Sequence, residues 1–320
     1  MSEIFKAGDR AQLTGPKGKV NTIVLEAGAK LGTHKGDIHH DQIIGLPSGS
    51  VIENKNGDKY LVLKPLLSDY VLSMPRGAQI IYPKDAAQIV VEGDVFPGAT
   101  VLEAGVGSGA LSAYLLRAIG EKGQLHSFEL REEFAQIAKA NVANFLDFEP
   151  ENWTVRIGKL QDELPNALAP KSVDRAVLDM LAPWECISAV HQTLRPGGVL
   201  IVYVATVTQL SRTVEEIKSH GGFTSPNAFE TTVRPWHLDG LAVRPEHRMI
   251  GHTGFLLTVR RLADHTELPD FRTRRVNKAE FSDEDMDTWL PEAMGVRPIG
   301  EKKLRKTVRR VTSERDKRKN

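Results

Sequence analysis

The stretch Val101-Leu102-Glu103-Ala104-Gly105-Val106-Gly107-Ser108-Gly109-Ala110 limits what this chain can fold into more than any other. A short apolar run, residues 100–103, leads into it, and a helical pattern, residues 110–119, leaves it. Glycines between a strand and a helix let the backbone turn tightly and approach a ligand, and the start of the helix offers unpaired N–H groups. The alternation then continues. Residues 124–129, 153–157, 173–179 and 198–204 read as strands, and residues 131–145, 184–194 and 209–220 as helices. Strands that alternate with helices imply a parallel sheet with crossover connections, so the fold class is α/β. Residues 223–233 and 253–261 are expected to close the sheet as a late hairpin.

The region ahead of this unit has a different pattern. Residues 20–25, 51–53 and 60–63 are apolar or β-branched, and Gly15-Pro16, Pro47-Ser48-Gly49 and Asn56-Gly57 separate them. Asn-Gly is a strong hairpin signal because both residues tolerate φ > 0. A small β-barrel or sandwich is expected here, then a short helix over 65–74 and a linker at Pro75 and Gly77. The expected layout is a β-barrel-like domain over 1–70, the α/β domain over 71–262, and a polar, basic, largely disordered tail over 263–320.

Charge is distributed unevenly over this layout. The last twenty residues hold ten Lys/Arg and three Asp/Glu, a net of +7, while the whole chain carries only +1, so residues 1–300 carry −6. Such a tail suits a polyanion, or is simply a solvated end. No apolar run reaches the roughly 18 residues that would span a bilayer. The first ten residues lack the apolar core of a secretion signal. The single cysteine, Cys186, cannot form an internal disulfide, which favours a reducing, cytoplasmic setting. Cys186 itself reads as a buried small hydrophobe. His34, His39 and His40 read as surface histidines; nothing in their spacing gathers a metal ligand set, and no metal is expected.

Two segments carry chemistry. Glu129 ends the second strand of the α/β unit, 24 residues after Gly105. A carboxylate there can accept both hydroxyls of an adenosine ribose, so an adenosine-containing cofactor is expected on this half of the sheet. Gly105, Gly107 and Ala110 also satisfy the dinucleotide spacing, so the glycines alone do not select the cofactor. Glu103 does favour one: a second carboxylate would repel a pyrophosphate but tolerate a sulfonium or amino group, which points to S-adenosyl-L-methionine. The other segment is Val177-Leu178-Asp179-Met180-Leu181-Ala182-Pro183-Trp184-Glu185. Asp179 ends the fourth strand, at the edge where α/β sheets bind ligands. A carboxylate beside a rigid aromatic loop suits an amino-purine, because it accepts hydrogen bonds from an exocyclic NH2. The bland alternatives are that Asp179 caps the next helix and that Trp184 is core.

With these motifs the chain resembles the tRNA (adenine-58-N1) methyltransferases, in particular their actinobacterial-type members, over about residues 5–262. The resemblance rests on Tyr82-Pro83-Lys84-Asp85, the 103–111 loop, residues 179–184, Tyr203-Val204-Ala205-Thr206-Val207-Thr208-Gln209 and Gly251-His252-Thr253-Gly254-Phe255-Leu256. It implies a Rossmann-like methyltransferase sheet with a small N-terminal β domain, a homotetramer and tRNA as substrate; no membrane association is expected, in line with the absence of a long apolar run. It implies that Glu103, Gly105, Gly107, Ser108, Gly109, Ala110, Leu111 and Glu129 contact the methyl donor, with Lys159 and Leu160 by its adenine. Lys159 stands where some members carry Asp. Asp179 matches the proposed catalytic acid, and Tyr82, Tyr203 and His252 fall near the target pocket. The implied chemistry is in-line methyl transfer to adenine N1, with Asp179 stabilising the N6 amino group and the developing charge. The target base must be extracted from folded tRNA first. Two other classes fit the same fold: a methyltransferase of a protein or small molecule, and a non-catalytic RNA-binding subunit.

Overall fold

The computed structural model describes residues 4–269 apart from residues 35 and 78. The N-terminal region holds the strands β1 (Arg10–Thr14), β2 (Val20–Val24), β3 (Lys30–Leu31), β4 (Ile38–His39), β5 (Ser50–Glu53) and β6 (Lys59–Leu63). Its sheet has the order β2-β1-β6-β5 with antiparallel pairing, and β3 and β4 form a separate ribbon. The sheet is open at β2 and β5 rather than closed into a barrel. Alternation along β1 and β6 turns Ala11, Leu13, Tyr60 and Val62 inward, onto Phe5, Leu25, Ile38 and Ile43. His40, expected at the surface, is buried, and its Nδ1 accepts a hydrogen bond from the Glu26 backbone N–H at 3.0 Å. The imidazole thereby satisfies a backbone donor.

Two helices follow, α1 (Leu67–Ser73) and α2 (Pro83–Glu92), the second opened by Pro83 at its first position, where no donor is needed. The α/β unit then runs β7 (Thr100–Ala104), α3 (Ala110–Ile119), β8 (Gln124–Glu129), α4 (Glu132–Leu146), β9 (Trp153–Ile157), α5 (Leu160–Ala167), β10 (Val173–Asp179), α6 (Ile187–Thr193), β11 (Leu194–Val204) and α7 (Val207–His220). The expected helix over 184–194 splits into a 3-10 turn, Pro183–Cys186, and α6. Four short strands complete the described chain: β12 (Asn227–Phe229), β13 (Trp236–Asp239), β14 (Ala242–Pro245) and β15 (Phe255–Arg260).

The main sheet has seven strands in the order β12-β15-β11-β10-β7-β8-β9. The strands β7 to β11 pair in parallel, and β15 is antiparallel to β11 and β12. The late hairpin therefore forms, but with the ribbon β13–β14 inserted into its loop. Period-two alternation assigns the sheet's two faces. Val177, Val199, Ile201 and Tyr203 share a core with α1 to α4, while Leu178, Leu200, Val202 and Val204 share one with α5 to α7. Burial on both faces is why these strands are nearly continuous apolar runs. Among the described residues no helix is long and apolar enough to cross a membrane. The tail expected over 263–320 lies outside the described residues from residue 270 on.

Candidate active site

The chain reverses its direction of travel across the sheet between β7 and β10, which makes their carboxyl ends a natural binding crevice. A cleft of about 680 Å³ opens there. It is large enough for a nucleoside-sized ligand with room to spare. Gly105, Gly107, Glu129, Lys159, Leu160, Asp179 and Tyr203 all line it. The sequence reading thus places seven of its residues around one cavity.

Gly105 fixes how close the two central strands come. Its φ is +88°, and a Cβ there would collide with the Asp179 backbone carbonyl. Only glycine combines that left-handed backbone with so close an approach. Glu129 ties the loop to the next strand. Its carboxylate accepts from the backbone N–H groups of Gly107 at 3.0 Å, Leu130 at 3.0 Å and Arg131 at 3.2 Å. Asp179 is different: among the described residues nothing hydrogen-bonds its carboxylate. Burial pushes its pKa up to about 7, and the nearby Glu129 adds to the shift.

Other predicted residues do not line the cleft. Glu103 is fully buried behind the loop, accepting from Ser112 Oγ at 2.8 Å and Ser127 Oγ at 2.6 Å. Burial raises its pKa to about 7 against those two hydrogen bonds. The electrostatic argument made for Glu103 therefore passes to Glu129 and Asp179, which line the cavity at the ends of β8 and β10. Ser108 to Leu111 are buried as the loop turns into α3, where Asn141 Nδ2 donates to the Ser108 carbonyl at 2.9 Å. Trp184 is also buried, with Arg212 4.1 Å above its ring, so its indole offers no face to the cavity and belongs to the core. Tyr82 is the residue immediately before α2. His252 is exposed, its Nδ1 2.9 Å from Glu230 Oε2, a hydrogen bond that raises its pKa. Cys186 is buried as expected, its thiol pushed up to about 11 by burial.

Sequence reasoning missed three supports. Gln209 caps α7 reciprocally with Thr206, and its side-chain amide donates to the Leu181 carbonyl at 2.9 Å, pinning the loop after Asp179. The Thr-x-x-Gln spacing of that capping box was readable in the sequence. Gln79 and Ile80 also line the cleft, from the linker before α2. Asp85 is wholly buried and bonds Thr253 Oγ1 at 2.6 Å, joining two of the family-like motifs across 168 residues.

This strand order, with a glycine cradle at the first strand and a carboxylate at the tip of the second, defines a Rossmann-like S-adenosylmethionine-dependent methyltransferase. The residues fit that cofactor: Gly105 and Gly107 leave backbone at the cavity floor, and the carboxylates of Glu129 and Asp179 line its wall, one suited to ribose hydroxyls and both tolerant of a sulfonium. The chain belongs to the tRNA methyltransferase complex GCD14 subunit family, which matches residues 60–244, and residues 4–52 match the TrmI-like N-terminal family. The tRNA (adenine(58)-N(1))-methyltransferase TrmI of Thermus thermophilus is 34% identical over 246 residues, covering 77% of this chain and 94% of its own. The tRNA (adenine(57)-N(1)/adenine(58)-N(1))-methyltransferase TrmI of Methanocaldococcus jannaschii is 29% identical over 72% of this chain and 88% of its own. Among solved structures, a SAM-dependent O-methyltransferase from Thermotoga maritima superposes with a TM-score of 0.77 at 30% identity, covering 83% of this chain and 97% of its own. The tRNA (m1A58) methyltransferase TrmI of Aquifex aeolicus gives 0.73 at 28% identity, covering 82% and 100%.

Proposed function

We propose that this chain is an S-adenosylmethionine-dependent enzyme that forms N1-methyladenosine at position 58 in the T-loop of tRNA. The observation that carries the reading is Asp179: an unpartnered carboxylate at the tip of β10, facing a cavity whose other wall is the Gly105–Glu129 cradle. Glu129 would hold the donor's ribose hydroxyls, with Gly105 and Gly107 beneath it and Lys159 and Leu160 beside its adenine. Glu103 and residues 108–111 would support that cradle from behind. When bound, the donor supplies an electrophilic methyl group. Adenine N1 already has a lone pair, so no residue has to remove a proton first. The protein's work is to hold the base in line and receive the positive charge the ring acquires. Asp179, ionised, would accept a hydrogen bond from the N6 amino group and stabilise that charge. Tyr203 would border the base, with Tyr82 and His252 farther out.

The division into residues 1–70, 71–262 and 263–320 belongs to the same proposal, as do a cytoplasmic setting and a homotetramer. The ribbon β13–β14 supports the last point. Trp236, Leu238 and Val243 are 55%, 74% and 57% exposed and Leu241 is fully so, an apolar arm suited to a subunit contact. The test of function is to incubate tRNA with labelled donor and map the methylated nucleosides. N1-methyladenosine at position 58 is expected; label confined to protein or small molecules, or no transfer at all, would overturn the proposal.

A further inference from the structure

We propose that the notch between the β1–β2 and β3–β4 turns is an RNA-binding subsite, in which Lys17, Lys19 and the Tyr60 hydroxyl hold one phosphodiester of the tRNA backbone. The proposal rests on the tRNA-methylating reading above and deepens it, because it adds a substrate contact outside the catalytic cleft.

The notch is a cavity of about 240 Å³ in the N-terminal region. Three elements build it. Lys17 and Lys19 come from the β1–β2 turn, His34 from the turn between β3 and β4, and Tyr60 from β6. The first turn can lie against Tyr60 because residue 15 is glycine; a Cβ there would collide with the ring. None of the residues lining the notch is acidic. Asp37, which approaches Gly32 from outside, is already paired with Lys30 at 2.5 Å.

Two observations point to a ligand. The first is Tyr60. It is only 4% exposed, yet among the described residues nothing hydrogen-bonds its hydroxyl, and solvent still reaches that oxygen. A buried phenol normally finds a partner for its O–H. What remains open of this residue lines the notch, so the partner enters from there. The second is charge. Lys17 and Lys19 are exposed and make no ion pair among the described residues. Residues 1–300 carry a net −6, so two unpaired cations over an acid-free cavity are a local exception. Two charged donors and one neutral donor, with no carboxylate to oppose them, form the donor set of an anion site.

Size and openness select the anion. The volume is below the roughly 300 Å³ at which small-molecule pockets begin, so the notch takes a group rather than a whole nucleotide cofactor. Both lysines remain in water, so a free anion would be held weakly. A phosphodiester on a long strand is held better, because contacts elsewhere keep it in place. Lysine and tyrosine are ordinary phosphate contacts, which position a strand without reading its sequence.

The experiment uses the full chain and measures tRNA binding across a salt series. It compares wild type, Lys17→Gln/Lys19→Gln, Tyr60→Phe and a control, Lys6→Gln/Lys59→Gln, which removes the same charge from the N-terminal region outside the notch. Losing both notch lysines should weaken binding about tenfold at low salt and flatten the log–log slope by roughly 0.7–0.9, the share of one phosphate. Tyr60→Phe should weaken binding about three- to tenfold with the slope unchanged, since it removes a donor but no charge. The loss should appear in KM for tRNA, and donor affinity should match wild type throughout. Wild-type affinity and slope in both notch variants would overturn the proposal, as would a loss confined to kcat. Equal flattening in the control would make the effect one of net charge and overturn it too. Inorganic phosphate is the second probe. If wild type binds it, the lysine variant does not, and tRNA binding is the same in both, the notch is a free-anion site and the RNA assignment falls. Failure of the wild type to bind or methylate tRNA would remove the underlying reading; normal N1-methyladenosine with notch variants that bind like wild type would remove this proposal alone.

Discussion

Asp179→Asn should make the donor-free protein more stable at alkaline pH while nearly abolishing turnover. The folded-state pKa of Asp179 is raised from 3.8 to about 7. A raised carboxylate pKa means the folded protein binds the proton more tightly than the unfolded chain does. Its ionisation therefore destabilises the fold fully above pH 7, and the penalty fades as pH falls from 7 toward 4. A rise of this size corresponds to about 4 kcal/mol at pH 8. Asparagine removes the charge, but its amide also has no partner there, at a cost of about 1–3 kcal/mol. The net gain at pH 8 is then about 1–3 kcal/mol, or roughly 2–5 °C in melting temperature for a chain of this size. By pH 5 most of the wild-type penalty has gone, so the two melting curves should converge or cross. Glu103 titrates in both proteins, and because the Asp179 charge contributes to its raised pKa, removing that charge relieves part of its penalty and acts in the same direction. Single-turnover rates on saturating tRNA should drop on the order of 10²–10³, as for loss of one electrostatic stabiliser. The wild-type kcat/KM should rise with pH toward a plateau just above 7, a limb the variant lacks. A variant no more stable at pH 8 than at pH 5 relative to wild type, or one that turns over normally, would refute the reasoning.

Three further outcomes are expected. Glu129→Ala should weaken donor binding roughly ten- to a hundredfold, as for a charge-assisted bond, and calorimetry showing unchanged affinity would remove the ribose assignment. Gly105→Ala should cost clearly more than Gly98→Ala in chemical denaturation. Both have φ near +90°, but only the first Cβ meets backbone, while the second has open space and should cost only the left-handed penalty of about 1–2 kcal/mol. Removing residues 301–320, with their net of +7, should flatten the salt dependence of tRNA binding by roughly 0.7–0.9 in log–log slope per lost phosphate contact; identical slopes would make the tail a solvated end.

The parts of this molecule that were legible in the sequence are those whose cause is local. The loop at 103–111 announces itself because the glycine requirement, the strand before it and the helix after it are contiguous. The central strands β7, β10 and β11 were readable because burial on both faces leaves long apolar runs. Strand β1 escaped because only Ala11 and Leu13 of its five residues face the core, too few to show a period. The ribbon β13–β14 escaped because its apolar residues are exposed, so no buried face imposes alternation. Glu103 and Trp184 show the harder limit. Each stands in the right motif beside the cleft, yet burial behind it is decided by Ser112, Ser127 and Arg212, which no spacing rule connects to them. Asp85 shows the same limit from the other side. An acid in the first turn of a helix reads as a favourable dipole partner at the surface. Its complete burial follows only once the sheet brings Thr253 to it. A motif can therefore name the residues near a site, while which of them face the cavity and which are buried behind it is a property of the assembled fold.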